Sequence, residues 1–211
     1  MNSLKLKVCG MRLAANIAEV AELQPDYLGF IFYDKSPRFI SEVSAELIKY
    51  IPPIIKTVGV FVNADLETVK KKINLYQLNA VQLHGNESPE YCKELKLGFS
   101  TSIVIKAFGV DENFDFTVLD AYQNTVDYFL FDTKTKAHGG SGKTFDWNVL
   151  SKYTLDKPYF LSGGIDLEHA AAVREIKDER LYALDINSRF EVEAGVKDSE
   201  KIKEFISEMN K

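Results

Sequence analysis

Short apolar segments recur along the whole of this 211-residue chain, and nearly all of them end in a polar or glycine-containing signature. Between them, apolar residues recur with helical spacing, so the pattern predicts repeated strand-then-helix units. In a parallel α/β protein the carboxyl ends of the strands meet on one face, where functional residues gather. The signatures are therefore candidates for one site, and in chain order they read KVCG, GFIF, VGVFVN, VQLHG, IKAFG, FLFDT, FLSGG and ALDIN.

The chain contains eight such units, without a linker, a low-complexity segment or a break in composition between them. Eight parallel strands joined by right-handed helical crossovers can close into a barrel. We therefore predict an α/β protein with a (β/α)8 TIM barrel fold, in which residues 1–211 form a single catalytic domain. An open doubly wound sheet is the alternative, because it uses the same alternation of strands and helices.

Polar residues mark the expected helix starts. Ser and Asp are favoured there because their side chains accept hydrogen bonds from free backbone N–H groups. Pro is favoured at the first helical position because the N–H that it lacks would have no partner within the helix. The segment 111–124 fits a helix poorly, since its apolar spacing is irregular and Asp and Asn residues interrupt it. The expected starts are Ser41, Asp65, Ser88-Pro89, Asp146, Asp166 and Asp198.

Composition limits the classes of partner. The formal net charge is −5 and the basic residues are scattered, which argues against a nucleic-acid-binding surface. Cys9 and Cys92 lie far apart and form no CxxC pair or Cys/His cluster, so we expect no disulfide, no metal site and a reducing cytoplasm. No apolar run approaches the roughly 20 residues that cross a bilayer, so no membrane partner is expected.

Cys9 and Asp132 are the strand-end residues best suited to move protons. A free cysteine is most often a small buried apolar residue, but the neighbouring Lys7 and glycine backbone could favour its thiolate. Asp132 follows the apolar run 128–131, where a carboxyl group keeps its proton more easily, although it could also simply cap the next loop. We therefore predict a base at Cys9 and an acid at Asp132.

Three loops near the end of the chain suit an anion. Glycine N–H groups are unobstructed, the helix start at Asp166 offers further donors, and the loops after the last two strands of a barrel often bind phosphate. The expected phosphate-binding residues are Gly140, Ser141, Gly142, Ser162, Gly163, Gly164, Asn187 and Ser188.

Three further strand-end residues have less specific roles. Arg38, in the loop after the second strand, has a planar fork that suits a carboxylate, but it could also be a solvated surface residue. An isolated His84 is more often a structural hydrogen-bonding residue than a catalyst, so we expect it to support the site from behind. Asp185 could be a buried partner of another side chain or a contact for a ligand hydroxyl group.

The segment AHGGSGKT at 137–144 nearly matches the nucleotide-binding P-loop GxxxxGK[ST], with Ala137 in place of the first Gly. A P-loop joins a strand directly to a long helix. Here several residues separate the segment from the preceding strand, and Phe145-Asp146 indicates a separate helix start. We therefore do not expect a nucleotide-binding core.

Taken together, these sequences resemble the phosphoribosylanthranilate isomerase family of tryptophan biosynthesis. The resemblance runs from KVCGMR, GFIF, SPR, VGVFVN and VQLHG through FDT, GGSGKTFDW and LSGGI to LDINSRFE with GVKD. It implies a (β/α)8 barrel without a metal or organic cofactor. It also implies an Amadori rearrangement of N-(5-phosphoribosyl)anthranilate to 1-(2-carboxyphenylamino)-1-deoxyribulose 5-phosphate, so the expected partner is a small molecule that carries a phosphate and a carboxylate.

Carried over residue by residue, the resemblance makes Cys9 the general base, Asp132 the general acid and Arg38 the contact for the anthranilate carboxylate. Ala194 stands where the family often has Pro, and we expect segment 191–198 to affect loop stiffness with little bearing on the chemistry. Another sugar-phosphate isomerase and a catalytically silent phosphosugar-binding barrel are the alternative functions. The sequence leaves open whether the protein is a monomer or a homodimer.

Overall fold

The computed structural model describes residues 4–40, 48, 51–99, 103–134 and 146–211. Eight parallel strands pair in chain order, and the last pairs with the first to close a barrel. The predicted (β/α)8 barrel is therefore confirmed, and the open sheet is wrong. The strands are β1 (Lys5–Cys9), β2 (Tyr27–Ile31), β3 (Lys56–Phe61), β4 (Ala80–Leu83), β5 (Ile103–Val110), β6 (Tyr128–Thr133), β7 (Tyr159–Leu161) and β8 (Leu181–Ile186).

Helices connect the strands, and several begin where the sequence predicts. Asp65 accepts a hydrogen bond from the backbone N–H of Thr68, and Ser88 accepts one from that of Tyr91. Each cap satisfies a backbone donor that a helix start leaves free. The predicted start at Ser41 lies outside the described residues. The helices are α1 (Ala14–Glu22), α2 (Leu66–Tyr76), α3 (Pro89–Gly98), α4 (Ala170–Arg174) and α5 (Ser199–Met209), the last capped by Asp198.

Three expected helices form mainly as tighter 3₁₀ turns. In 111–124 only Phe116–Tyr122 is helical. The Asp115 side chain accepts a hydrogen bond from the backbone N–H of Thr117, and the irregularly spaced apolar residues offer no single buried face for a longer helix. Asp146 caps the 3₁₀ helix Trp147–Lys152. This six-residue helix is the next described element after β6, whereas the P-loop alternative required a long helix. Asp166 caps a 3₁₀ turn, Leu167–His169, which leads into the five residues of α4.

The barrel interior is filled near its amino-terminal end and polar near its carboxyl-terminal end. Successive strand side chains alternate between the inside and the outside of the sheet. In β6, Leu130 fills the interior and Asp132 follows two positions later; in β8, Ala183 is followed by Asp185. The interior apolar cluster consists of Tyr27, Val58, Ala80, Ile105, Ala107, Leu130, Phe160 and Ala183.

A small hairpin follows β8 and folds back towards the carboxyl-terminal mouth. Its strands are β9 (Glu191–Glu193) and β10 (Val196–Lys197). Asn16 of α1 donates to the backbone oxygen of Lys197 at 2.8 Å and accepts from its backbone N–H at 2.7 Å. The hairpin is thereby fixed to the first helix of the chain. Among the described helices, none has the length and apolar character needed to cross a membrane.

Candidate active site

A cavity of about 270 Å³ opens at the carboxyl-terminal mouth of the barrel. Side chains from distant parts of the sequence meet there because all eight strands end on this face. The predicted residues Gly140, Ser141 and Gly142 lie outside the described part of the chain. All the other predicted residues line the cavity: Cys9, Arg38, His84, Asp132, Ser162, Gly163, Gly164, Asp185, Asn187 and Ser188.

Cys9 ends β1 and is buried beside the cavity. Gly29 on β2 leaves room for the thiol, since a Cβ atom there would lie 2.8 Å from Cys9 Sγ. Burial raises the pKa of the Cys9 thiol, although the positive charges of Lys7 and Lys197 act in the opposite direction. The sequence led us to expect that the neighbours favour the thiolate. In the folded protein burial outweighs them, because it removes water from around the charged form.

Lys7 lies two residues before Cys9, on the same side of β1. Its ammonium group donates to both carboxylate oxygens of Asp185, each at 2.8 Å, and both side chains are buried. Burial opposes the ammonium form, but the Asp185 carboxylate raises the pKa of Lys7 above its ordinary value. Of the two roles considered for Asp185, the structure therefore shows a buried ion-pair partner.

Asp132 is the penultimate residue of β6, which β7 and β8 separate from β1 around the ring. Its Oδ1 accepts a hydrogen bond from the backbone N–H of Thr133 at 2.8 Å, and its Oδ2 lies 3.3 Å from His84 Nε2. The Nδ1 atom of His84 lies 2.9 Å from Nε2 of Gln82. Asp132 therefore caps the following backbone, as considered, and also faces the cavity with His84 behind it.

Arg38 is buried and ion-paired, so its interpretation as a solvated surface residue is wrong. Its Nε lies 2.8 Å from Glu191 Oε1, and its Nη2 lies 2.6 Å from Glu191 Oε2. This bidentate contact fixes the guanidinium plane and uses one edge of the fork. The opposite edge, which includes Nη1, is the one that can take a second carboxylate.

Sequence reasoning missed Glu191 and Lys197, both from the terminal hairpin. Lys197 Nζ donates to Glu191 Oε1 at 2.6 Å and to Asn187 Oδ1 at 2.7 Å. Burial lowers the pKa of Lys197 to about 8, although Glu191 opposes the shift. Burial alone would raise the pKa of Glu191, but Arg38 and Lys197 hold it below its ordinary value.

The expectation for segment 191–198 concerned loop stiffness and the Ala194 position, and it did not include the two charged side chains that this segment brings to the site. Glu191 holds the arginine that faces the cavity, and the charge of Lys197 acts on the Cys9 thiol. The sequence did contain a signal, because FE and GVKD place an acid and a base on either side of a glycine turn. Nothing in the linear spacing indicates that both charges fold inward.

The loops that we expected to bind an anion differ in part from the expectation. Gly163 and Gly164 have φ values of +92° and +65°, in the region that favours glycine, so their N–H groups can turn towards the cavity. The side-chain oxygen of Asn187 is bonded to Lys197, which leaves its backbone for a ligand. The carboxylate of Asp166 accepts from the backbone of Leu167. It therefore occupies the helix start that we expected to help bind phosphate.

Comparisons with known proteins agree with this geometry. The family model described as N-(5'phosphoribosyl)anthranilate (PRA) isomerase matches residues 6–208. The N-(5'-phosphoribosyl)anthranilate isomerase of Parabacteroides distasonis is 47% identical over 209 residues, covering 97% of this chain and 92% of that protein.

Two solved structures are similar over 98% of this chain and 98% of theirs. One shows monomers generated from the dimeric phosphoribosylanthranilate isomerase of Thermotoga maritima, with 32% identity and a TM-score of 0.80. The other is a phosphoribosyl anthranilate isomerase in complex with reduced 1-(o-carboxyphenylamino)-1-deoxyribulose 5-phosphate, with 31% identity and a TM-score of 0.81. The sequence and the fold thus agree, and the chain belongs to the N-(5'-phosphoribosyl)anthranilate isomerase family.

Proposed function

We propose that this protein catalyses the Amadori rearrangement of N-(5-phosphoribosyl)anthranilate to 1-(2-carboxyphenylamino)-1-deoxyribulose 5-phosphate in tryptophan biosynthesis. The observation that carries the proposal is the placement of Cys9 and Asp132 in one cavity, on strands that β7 and β8 separate around the ring. A rearrangement of this kind moves two protons, so it needs an acid and a base on different sides of one sugar. A phosphosugar-binding barrel without catalysis would need neither.

Two anchors orient the substrate. The phosphate binds at the glycine loop of Ser162, Gly163 and Gly164 and at the backbone of Asn187 and Ser188, which line the same cavity. The anthranilate carboxylate binds the edge of Arg38 that Glu191 leaves open. Anchoring both ends holds the reacting atoms between acid and base, which lowers the entropic part of the barrier. The relative's complex with a reduced product analogue, which carries the same two groups, supports this arrangement.

The chemistry proceeds by general acid-base catalysis. Asp132 gives a proton to the furanose ring oxygen, the bond from C1 to that oxygen breaks, and an iminium ion forms. Cys9 takes the proton from C2, and the C2–H electron pair moves to neutralise the iminium. The resulting enolamine tautomerises to the ketone. No electrons leave or enter overall, so the reaction needs no oxidant or reductant.

The raised pKa of Cys9 fits this order of events. The iminium ion adds a positive charge beside the thiol and also acidifies C2. Together with Lys7 and Lys197, it favours the thiolate after the ring has opened, so the thiol first releases its proton to solvent water at the open mouth of the cavity and then takes the proton from C2. Cys9 therefore becomes an effective base when the proton on C2 is to be removed, and it stays a less reactive thiol at other times.

A fluorescence assay tests the proposal. Phosphoribosylanthranilate is mixed with the purified full chain, and its consumption is followed against a matched Cys9→Ala variant. We expect rapid consumption by the natural chain and little by the variant. Consumption of a different aminated sugar phosphate alone would indicate another isomerase, and phosphate-dependent binding without turnover would indicate a silent barrel.

The wider setting belongs to the same proposal. The partner is a small molecule with a phosphate and a carboxylate, handled in the cytoplasm by one catalytic domain spanning residues 1–211. The Thermotoga maritima relative is named as a dimer from which monomers were generated. For this chain we propose a monomer or a homodimer, which sedimentation of the purified protein distinguishes.

A further inference from the structure

Lys106 carries a buried ammonium group that the proposed mechanism does not use. The residue lies on β5 and is 2% exposed. Its neighbours Ile105 and Ala107 fill the barrel interior, so the Lys106 side chain points to the outer face of the sheet. An ammonium group removed from water is costly unless its three N–H groups find acceptors. The acceptors of Lys106 therefore indicate what its charge does.

The acceptors of Lys106 lie where β4 ends and its chain continues into a loop. Lys106 Nζ donates to the carbonyl oxygens of Leu83 and Gly85, at 3.2 and 2.8 Å. A third hydrogen bond, to the carbonyl oxygen of Ala107 at 3.0 Å, anchors the ammonium group on β5 itself. Leu83 and Gly85 are the residues immediately before and after His84. Lys106 thus holds the backbone of His84 from both sides.

Glu87 extends these contacts to a third strand end. Its carboxylate lies 3.2 Å from Lys106 Nζ, and both side chains are buried. It accepts hydrogen bonds from the backbone N–H of Gly85 at 2.9 Å and from that of Asn63, just after β3, at 2.8 Å. One buried ion pair therefore ties the loops after β3 and β4 to β5. Fixing one arrangement of the chain is a better-attested use of such a pair than added stability.

The arrangement fixed here is the approach of His84 to Asp132. His84 Nε2 lies 3.3 Å from Asp132 Oδ2, which is near the long limit of a hydrogen bond. Asp132 is held independently, because its Oδ1 accepts from the backbone N–H of Thr133. A small displacement of the His84 backbone therefore decides whether the contact forms.

We propose that Lys106 is a positioning residue for the acid side of the active site, with Glu87 as its partner. By holding the carbonyl groups on both sides of His84, it sets the distance between His84 and Asp132. Lys106 and Glu87 act through His84 and not on the substrate, since neither lines the active-site cavity. The placement of His84 rests on contacts within the structure, whereas the effect on turnover rests on the proposed function.

The first test follows the His84 ring by NMR. The full chain is labelled with ¹⁵N-histidine, and the His84 signals are assigned by their loss in His84→Asn. Lys106→Met keeps an unbranched side chain but cannot donate, so the His84 signals should move. Lys157→Met is the matched control and should leave them unchanged, because Lys157 donates to the carbonyl of Val126, at 2.7 Å, before β6 begins. Unmoved His84 signals in a folded Lys106→Met variant overturn the proposal.

Turnover gives the second test. Lys106→Met should lower kcat by about 10–100-fold with little change in KM, because the acid side is displaced and the substrate anchors are not. In a His84→Asn background the same substitution should change kcat little, since substitutions that act through one contact are not additive. Equal fold losses of kcat in the two backgrounds would overturn the proposal, because Lys106 would then act without His84.

Two further variants keep the tests decisive if Lys106→Met alone does not fold. Lys106→Met combined with Glu87→Gln removes both buried charges together and should move the His84 signals in the same way. Gly85→Ala keeps both charges but places a Cβ atom 2.4 Å from Asn63 Oδ1 and 2.7 Å from its backbone nitrogen, so the loop after His84 must shift. Unmoved His84 signals in Gly85→Ala overturn the proposal even without a folded Lys106 variant.

The two readouts also separate this proposal from the proposed function. Moved His84 signals, in variants of a chain that shows no turnover, would support the positioning by Lys106 and contradict the proposed function. Normal turnover in the natural chain with unmoved His84 signals in the variants would support the proposed function and contradict the positioning.

Discussion

The two ends of the barrel use the same strands for different purposes. At the amino-terminal end, the rings of Tyr27, Tyr128 and Tyr182 surround Phe160, with ring centroids 5.4 to 5.5 Å from it. At the carboxyl-terminal end of the same strands stand charged groups, such as Asp132 on β6. Aromatic packing does not depend on the protonation state of the side chains, whereas the reaction proposed for the cavity does. Stability and chemistry are thereby separated along each strand.

The difference also appears in how burial acts on acidity. At the aromatic end burial raises the pKa of Tyr27, which keeps its hydroxyl neutral and hydrogen-bonded to Tyr182 at 2.8 Å. At the cavity burial is opposed by ion pairs, so that Lys7 keeps its charge. Among the described residues, the barrel interior at one end contains only uncharged side chains, and the cavity at the other end holds charges by pairing them. Substitutions at the two ends should therefore separate turnover from the free energy of unfolding.

The largest expected effect is on turnover. Cys9→Ala and Asp132→Ala each remove one proton-transfer group, and we expect kcat to fall by about 10²–10⁴-fold. Thermal unfolding followed by circular dichroism should show that the fold persists. Near-normal turnover in either purified variant would contradict the role given to that residue.

The next effect is on stability. Phe160→Ala removes the ring at the centre of the aromatic cluster, and we expect the free energy of unfolding to fall by about 3–5 kcal/mol. Urea unfolding measures the loss, and kcat well below the transition should change little. A large drop in kcat with unchanged stability would show that the two ends are coupled.

Substrate affinity should respond at Arg38. Removal of a charged hydrogen-bond donor costs about 1.5–3 kcal/mol, so Arg38→Ala should raise KM by roughly 10–100-fold. Arg38→Lys keeps the charge without the bidentate fork, so its KM should lie between those of the natural protein and of Arg38→Ala. An unchanged KM in Arg38→Ala would mean that another group binds the carboxylate.

The smallest effect is expected at the tyrosine pair. Tyr182→Phe removes one hydroxyl of the bond to Tyr27 and should lower the free energy of unfolding by about 0.5–1.5 kcal/mol without altering KM. Tyr33→Phe, a hydroxyl deletion at the cavity, is the comparison variant. Equal losses of stability in the two would argue against a specific role for the pair.

The sequence predicted the parts of the molecule that depend on local pattern. Eight strand-like segments with helical spacing between them favoured the closed barrel over an open sheet, and the prediction that the strand ends share one face placed Cys9 and Asp132 at the same cavity. The failures lie where the outcome depends on tertiary contacts. The acidity of Cys9 depends on burial, and the roles of Glu191 and Lys197 depend on a hairpin that folds inward. Segment 111–124 forms only the 3₁₀ helix Phe116–Tyr122, because no continuous apolar face holds a longer α-helix.

The ion pair between Lys7 and Asp185 joins residues 178 positions apart, and Glu191 and Lys197 come later still. As a ribosome releases the chain, Lys7 and Cys9 emerge together, whereas Asp185 and Lys197 emerge much later. The base thus acquires its surroundings only when β8 pairs with β1, which closes the longest loop of any strand pairing in the barrel. Chains truncated before β8 keep their cysteine but lack the ion pairs around it, so catalytic competence should arise in the final folding step.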